Sequence, residues 1–508
     1  MTIVGGTVTC PANIYPGNRI TGKVGTLILD GTTMTVNNSS YTYPGYYSTA
    51  NNYGTADIII TNGAQLSTGY LYGRHGTIRQ YSGTVKLTNQ ATGSLRLGCH
   101  SSGTCSYYLY GGTLDRTLAT KSNGFHLGLN TSNGSPTGNL FIYGGEAIMR
   151  CQYGYLGRYS AGTHSDKTSG RDSGNLYVRG GSFKMPYNGG ALYVGHYGNG
   201  TMEVSNGGVA EVNGTLCSLP NTANTHGRKG TLNVLTNGTL KVRCIYSTCT
   251  NDTSTLVLDG GKLIANTSAS ANFIYGFTSA SIGVGGTTVD TAGFNLTFAQ
   301  DFAARSGQTW EPGETAEALA AAPAFTKIGA GTLTLHGTNT YLCATCVSNG
   351  TLAVTDELSL PATTTLRVAA GAIVNLSEKA HTVTNLMGGG LVTNGTLTVT
   401  GTVWPGYPET GTLTVASGTL TPAKLAFVLD DNGTCGRLDV IDGTLDLSNT
   451  EIIVDNAVAA TEKGLVTLAT ATSITGMPTC NQQGVNLVTK SNAVRIYVGK
   501  TGTILSIR

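Results

Sequence analysis

Apolar and polar residues alternate in short runs along most of the chain. Leu176 and Val178 fall on one parity, Asn175 and Tyr177 on the other; Leu232 and Val234 alternate with Thr231 and Asn233, and Leu240 and Val242 with Thr239 and Lys241. A period of two predicts strands with one buried face. Gly-Gly or Asn-Gly steps join the runs and supply the positive φ a sharp corner needs. Five segments repeat this pattern: GNLFIYGGEAIM, GNLYVRGGSFKM, GTMEVSNGGVAEV, GTLNVLTNGTLKV and STLVLDGGKLIA. They begin at Gly138, Gly174, Gly200, Gly230 and Ser254, at spacings of 36, 26, 30 and 24 residues.

A hairpin meander would repeat at roughly 8–12 residues, well short of these spacings. A third short strand recurs after many units: LYGRH (71–75), LRLGCH (95–100), HLGLN (126–130), YLGRY (155–159) and LYVGHY (192–197). Three strands per coil with a corner between each predicts an all-β, right-handed parallel β-helix of 24–36-residue coils. One coil cannot bury a core, but a stack can. Gly73, Gly98, Gly128, Gly157 and Gly195 end the third strand, and two positions later stand His75, His100, Asn130, Tyr159 and Tyr197. In-register coils would make these five a surface ladder.

Composition divides the chain. Residues 1–276 hold 22 of the 25 Tyr and carry 19 Lys and Arg against 10 Asp and Glu; residues 277–508 carry 11 against 17. The expected organisation is a Tyr-rich basic β-helix over 1–276, a transition segment over 277–326, and an acidic β-helix with a β-rich cap over 327–508. Within the transition, PGETAEALAAAPAF (312–325) is the one candidate for a helical or irregular insertion. Glu314 and Glu317 suit a helix N-terminus and Pro323 would end it. No run of apolar residues is long enough for a membrane-spanning helix. The opening MTIVGGTVTC lacks the basic and apolar regions of a signal peptide.

Eleven cysteines include three local pairs, Cys99 with Cys105, Cys244 with Cys249 and Cys343 with Cys346. Local pairing is expected to staple loops in an oxidising compartment, the alternative being buried reduced thiols. Cys343-Ala344-Thr345-Cys346 has redox-motif spacing but lies between strands rather than at the start of a helix, which favours a structural turn.

The segment KIGAGTLTLHGTNTYLCATCVSNGTLAV (327–354) resembles the autotransporter-associated β-strand repeat. The match lies in Gly331 to Leu335, Asn339 to Tyr341 and Val347 to Leu352. Looser likeness extends from 283 to the end. The resemblance implies a right-handed β-helix exported to the bacterial cell surface or beyond, adhesin-like and seldom catalytic. The chain departs from the family pattern in placing Cys343 and Cys346 where Thr and Gly are usual. Residues 398–508 also lack the alternating aromatic-girdled strands of a membrane barrel, so the expectation is either a passenger cut from its translocator or a free-standing secreted relative, the latter favoured.

Chemistry-bearing residues are sparse. Six histidines (His75, His100, His126, His164, His196, His226) recur at about one per coil, as turn residues placed by the repeat would. Tight metal-ligand spacings are absent. Acids are scattered, with Glu203 and Glu211 the nearest to a pair. No catalytic, metal or cofactor residues are assigned. The expectation is a non-catalytic extracellular structural or adhesive solenoid, with itself (end to end, as a fibre) or extracellular glycans as partners. A glycan-binding module using the Tyr-lined face is the alternative, and a β-helix polysaccharide lyase or hydrolase a more distant one. Nucleic acid is not expected, because the positive charge is dilute and no binding motif occurs.

Overall fold

A computed structural model describes residues 1–17, 23–45, 54–89, 94–99, 102–130, 134–159, 172–219, 227–249, 251–267, 272–311, 313–429, 434–455, 464–480 and 486–498. It divides into two units, Met1–Ser281 and Ile282–Arg508. Both are parallel β-helices, and the crossover between successive parallel strands is right-handed as strand twist requires.

In the first unit each coil contributes one strand to each of three faces. The first face runs through Val24–Asp30, Thr55–Thr61, Gly76–Gln80, Ser102–Leu109, Ser135–Ile142, Ser173–Arg179, Asn199–Ser205, Lys229–Leu235 and Thr253–Asp259. Gly138 pairs with Gly174, Gly174 with Gly200, Gly200 with Gly230, and Gly230 with Ser254. The repeat spacings are therefore coil lengths. Inward positions stack into an apolar column, Leu140–Leu176–Met202–Leu232–Leu256, fully buried at every level. One polar exception is satisfied internally. The buried Tyr107 hydroxyl donates to Gln80 Oε1 at 2.5 Å, and Gln80 Nε2 donates to the carbonyls of Gly83 and Thr113.

The third face carries Tyr70–Gly73, Leu95–Cys99, the end of Thr113–Asn130, the end of Glu146–Tyr159, Ala191–Val194 and the end of Val209–Ser218. Its corners need glycine. Gly157 has φ +68°, and a Cβ there would sit 1.9 Å from the carbonyl oxygen of Asn199. Between the third and first faces lies the buried Arg228–Asp252 pair, both side chains 2% exposed, at 2.5 Å. Asp252 Oδ1 also accepts from the Arg228 backbone N–H at 2.8 Å.

The second unit opens with one long coil that holds the insertion, Thr287 pairing with Phe325 and Leu296 with Leu333, and then tightens. Ala324 pairs with Ala344, Thr345 with Leu366 and Thr365 with Asn385, so coils there are about 20 residues long, shorter than the range the first unit's repeats predict. From Ile373 onward a third strand per coil reappears. The 312–325 insertion is helical over Ala316–Ala321, with the Thr315 hydroxyl capping it by accepting from Ala318 N–H. Leu319 packs with Met387, Trp404 and Ala426. Arg367 donates to the carbonyls of Ala320 and Ala322 at the helix C-terminus. The unit ends in antiparallel pairing: Gly464–Thr475 and Asn486–Lys490 each pair with Ala493–Val498. That reversal breaks the parallel ladder, one way of managing an open sheet edge.

Candidate binding surface

Outward residues of the first face form two aromatic columns. Tyr108, Phe141 and Tyr177 occupy one register position, with ring centroids 4.9 and 4.8 Å apart and planes within 7°. Tyr81, Tyr110 and Tyr143 stack beside them at 5.1 and 5.5 Å. The spacing is the coil rise itself. Stacked rings spend their faces on each other, so this surface shows ring edges and hydroxyls to solvent. A sugar packs on ring faces, and the first face offers few. Charges beside it are paired: Asp57 holds Arg79, and Glu203 holds Arg179 through two hydrogen bonds of 2.7 and 3.0 Å. Its neighbour in sequence, Glu211, lies on the second face with Lys241 at 3.2 Å. The structure therefore separates Glu203 from Glu211, and each has a cationic partner of its own.

The third face is different. One register position reads Tyr72, Arg96, His126, Tyr155, Tyr193, Cys217, Tyr246 and Tyr275 over successive coils. The Arg96 guanidinium lies 4.4 Å from the Tyr72 ring centre and that of Arg158 lies 4.1 Å from the Tyr155 ring centre. His126, 3% exposed, stacks on Tyr155 at 5.1 Å and 4°. His196 meets Tyr155, Tyr193 and Tyr197 edge-on. Burial, then the Arg158 and Arg96 charges, hold His126 well below the ordinary imidazole value. Burial, Arg158 and Arg228 lower His196 to about 3. Both rings are neutral at any physiological pH.

The expected ladder is only partly placed. Asn130 pairs with Tyr159, as its spacing requires, though their side chains lie outside the described residues, as does His100. Gly73 aligns with Leu97 rather than Gly98, which moves His75 one position out of step; its Nδ1 accepts from Thr104 N–H instead. Tyr197 lies beside His196. The column the structure does build stands before the corner glycines, not after them. Its signal lies in the same sequence strings, as Tyr72, Arg96, His126, Tyr155 and Tyr193.

Cys99, Cys105, Cys244 and Cys249 stand as thiols in the structure. Strand alternation governs the CxxC case: Cys343 is buried, while Cys346 faces outward with Sγ 3.4 Å from Ser348 Oγ. Cys244 is buried against the core, whereas Cys249 turns to Ser247 and Ser254. Cys99 and Cys105 lie on different strands, and burial raises both thiols, Cys99 to about 11. Such thiols are poor nucleophiles for exchange. Among the described residues no three His, Cys, Asp or Glu converge as a metal site would require.

In the second unit the Asn339-Thr340-Tyr341 segment becomes a corner device. Asn339, 3% exposed, accepts from Phe302 N–H at 2.9 Å and donates to the Ser359 carbonyl at 2.9 Å, tying three coil levels. The buried Tyr341 hydroxyl hydrogen-bonds Thr345 at 2.8 Å, and Thr345 bonds Thr364 at 3.0 Å. Lys327, fully buried, donates from Nζ to the carbonyls of Ile328, Gly329 and Asn349.

Residues 325–354 match the family model described as passenger-associated-transport-repeat. The match spans four strands, two consecutive levels of the coil just described. No curated protein matches the chain. Among solved structures, the Haemophilus influenzae Hap adhesin aligns over 94% of this chain and 63% of its own, at 12% identity and a TM-score of 0.23. The chain thus spans less than two thirds of that protein's length. The fold rests on the strand pairing above, not on this alignment. The chain is a parallel β-helix carrying an autotransporter-passenger-type repeat.

Proposed function

We propose that this chain is a non-catalytic structural or adhesive β-solenoid displayed outside the cell. The observation that carries the reading is the passenger-associated transport repeat, built into a parallel ladder several of whose carboxylates are held in ion pairs. Side chains placed for chemistry converge in clefts; here six acids of the first unit, Asp57, Asp115, Glu146, Glu203, Glu211 and Asp252, are spread over coils and each lies against an Arg or Lys.

Negative-stain electron microscopy of the purified chain, with adhesion of chain-coated beads to host and bacterial surfaces, tests both forms of the reading. Filaments with a regular axial repeat support a structural polymer. Discrete particles that retain beads on surfaces support an adhesin. Discrete particles with no retention anywhere would remove both. Turnover of any member of a polysaccharide panel would overturn the non-catalytic assignment.

A further inference from the structure

The third face gathers cationic groups that the fold leaves unbalanced. Arg96 and Arg158 flank the His126 level from the coils on either side. Neither has a carboxylate partner among the described residues, whereas Arg79, Arg179 and Arg228 each do. Arg96 Nε is buried without a hydrogen-bond acceptor. So are His126 Nδ1 and His196 Nδ1, the first on a side chain only 3% exposed. Arg96 Nε is thus a buried donor left without its acceptor, and the guanidinium it belongs to is the group with unused hydrogen-bonding capacity.

The charged groups that influence His126 are Arg158 and Arg96, both positive. The positive potential here is therefore unopposed, and half-buried guanidiniums bind anions more strongly than fully hydrated ones. Both guanidiniums are pre-oriented against aromatic rings, which fixes their planes and lowers the entropy lost on binding.

We propose that Arg96 and Arg158, with His126 between Tyr72 and Tyr155 and His196 one coil beyond Tyr155, form a binding site for the carboxylate or sulfate groups of an acidic polysaccharide. The site is elongated along the coil stack. Arg96 and Arg158 stand two coils apart, ~10 Å at the strand spacing. That separation suits acidic groups repeating along a linear polymer better than a single small ion. Tyr72 and Tyr155 are themselves buried, so the rings left to meet a sugar edge are the half-buried Tyr70 and Tyr193. The inference rests on the adhesive reading only in taking a polymer as the ligand; the anion site itself rests on the arginines.

The test measures binding of the full chain to heparin (sulfated), polygalacturonate (carboxylated) and dextran (neutral) by surface plasmon resonance. Binding to one or both acidic polymers and not to dextran is expected, weakening as salt rises. The double substitution Arg96→Gln/Arg158→Gln is expected to raise Kd about tenfold or more, the loss of two charge-assisted contacts. Arg437→Gln, in the second unit beside Asp439, serves as the control and should bind as the unsubstituted chain does. In the unsubstituted chain, nitrogen NMR of the histidines should show His126 or His196 shifting when heparin oligosaccharide is added. That arm holds even where the double variant fails to fold. Equal binding by the double variant, or acidic polymers binding without either histidine responding, would overturn the site. Adhesion of coated beads to surfaces without binding to either acidic polymer would overturn the site and leave the adhesive reading standing.

Discussion

Lys327 carries an ammonium into the interior of the second unit and surrounds it with carbonyls rather than a carboxylate contact. Burial lowers its pKa from 10.5 to about 8, with Asp290 opposing the shift. The unfolded chain therefore holds this proton more tightly than the folded one. Between about pH 8 and 10.5 the unfolded state binds more protons, so this lysine's contribution to stability rises with pH across that window and levels off below it, where both states are protonated. Lys327→Met leaves three buried carbonyls without their donor and should cost about 1–3 kcal/mol. Other groups also titrate in this range, so the quantity to measure is the difference in urea midpoint between the two proteins. It should widen from pH 7.5 to pH 10; a constant difference would show that the lysine's proton is equally held in both states. Asn339 was visible in the sequence as part of a motif, but its role was not. Only the register shows that its amide bridges coils 37 and 20 residues away.

Strands and corners were the most legible level. Gly-Gly and Asn-Gly steps mark where the backbone must turn with positive φ, and the gaps between successive units equal the coil lengths found. The third face was legible as strands but not as a site. The corner glycine was read as the landmark for the outward column, and a one-residue shift at Gly73 breaks that assumption. Such a shift swaps the faces of a strand, which alternation alone cannot reveal when both faces carry aromatics. The same alternation bears on the expected CxxC staple. Residues three apart along a strand point to opposite sides, so nearness in sequence separates Cys343 from Cys346. Corner glycines themselves differ in what they tolerate. Gly207 has φ +81° with open space where a Cβ would go, while Gly157 faces the Asn199 carbonyl. Gly207→Ala should cost about 1–2 kcal/mol, the left-handed backbone penalty alone. Gly157→Ala adds a backbone clash between coils and should lower the denaturation midpoint distinctly more. Equal costs would mean that the coil corner yields freely.

A solenoid's stability is close to a sum of repeat and nearest-neighbour terms, so damage should stay near where it is made. The two compact units make that expectation testable in one molecule. The break in composition near residue 277 was plain from Tyr and charge, but composition could not say whether the halves melt separately. Asp252 supplies a probe for the first unit. It satisfies the Arg228 guanidinium and backbone in an environment where both side chains are 2% exposed. Asp252→Asn leaves a buried guanidinium uncompensated, a loss of about 3–5 kcal/mol. Lys327→Met is the matching probe for the second unit. Differential scanning calorimetry should resolve two transitions in the unsubstituted chain. Asp252→Asn should move one to lower temperature and leave the other in place, and Lys327→Met should do the reverse. A single transition lowered by either substitution would mean that the coils couple across the whole chain, and that the range of nearest-neighbour stabilisation is longer than a repeat.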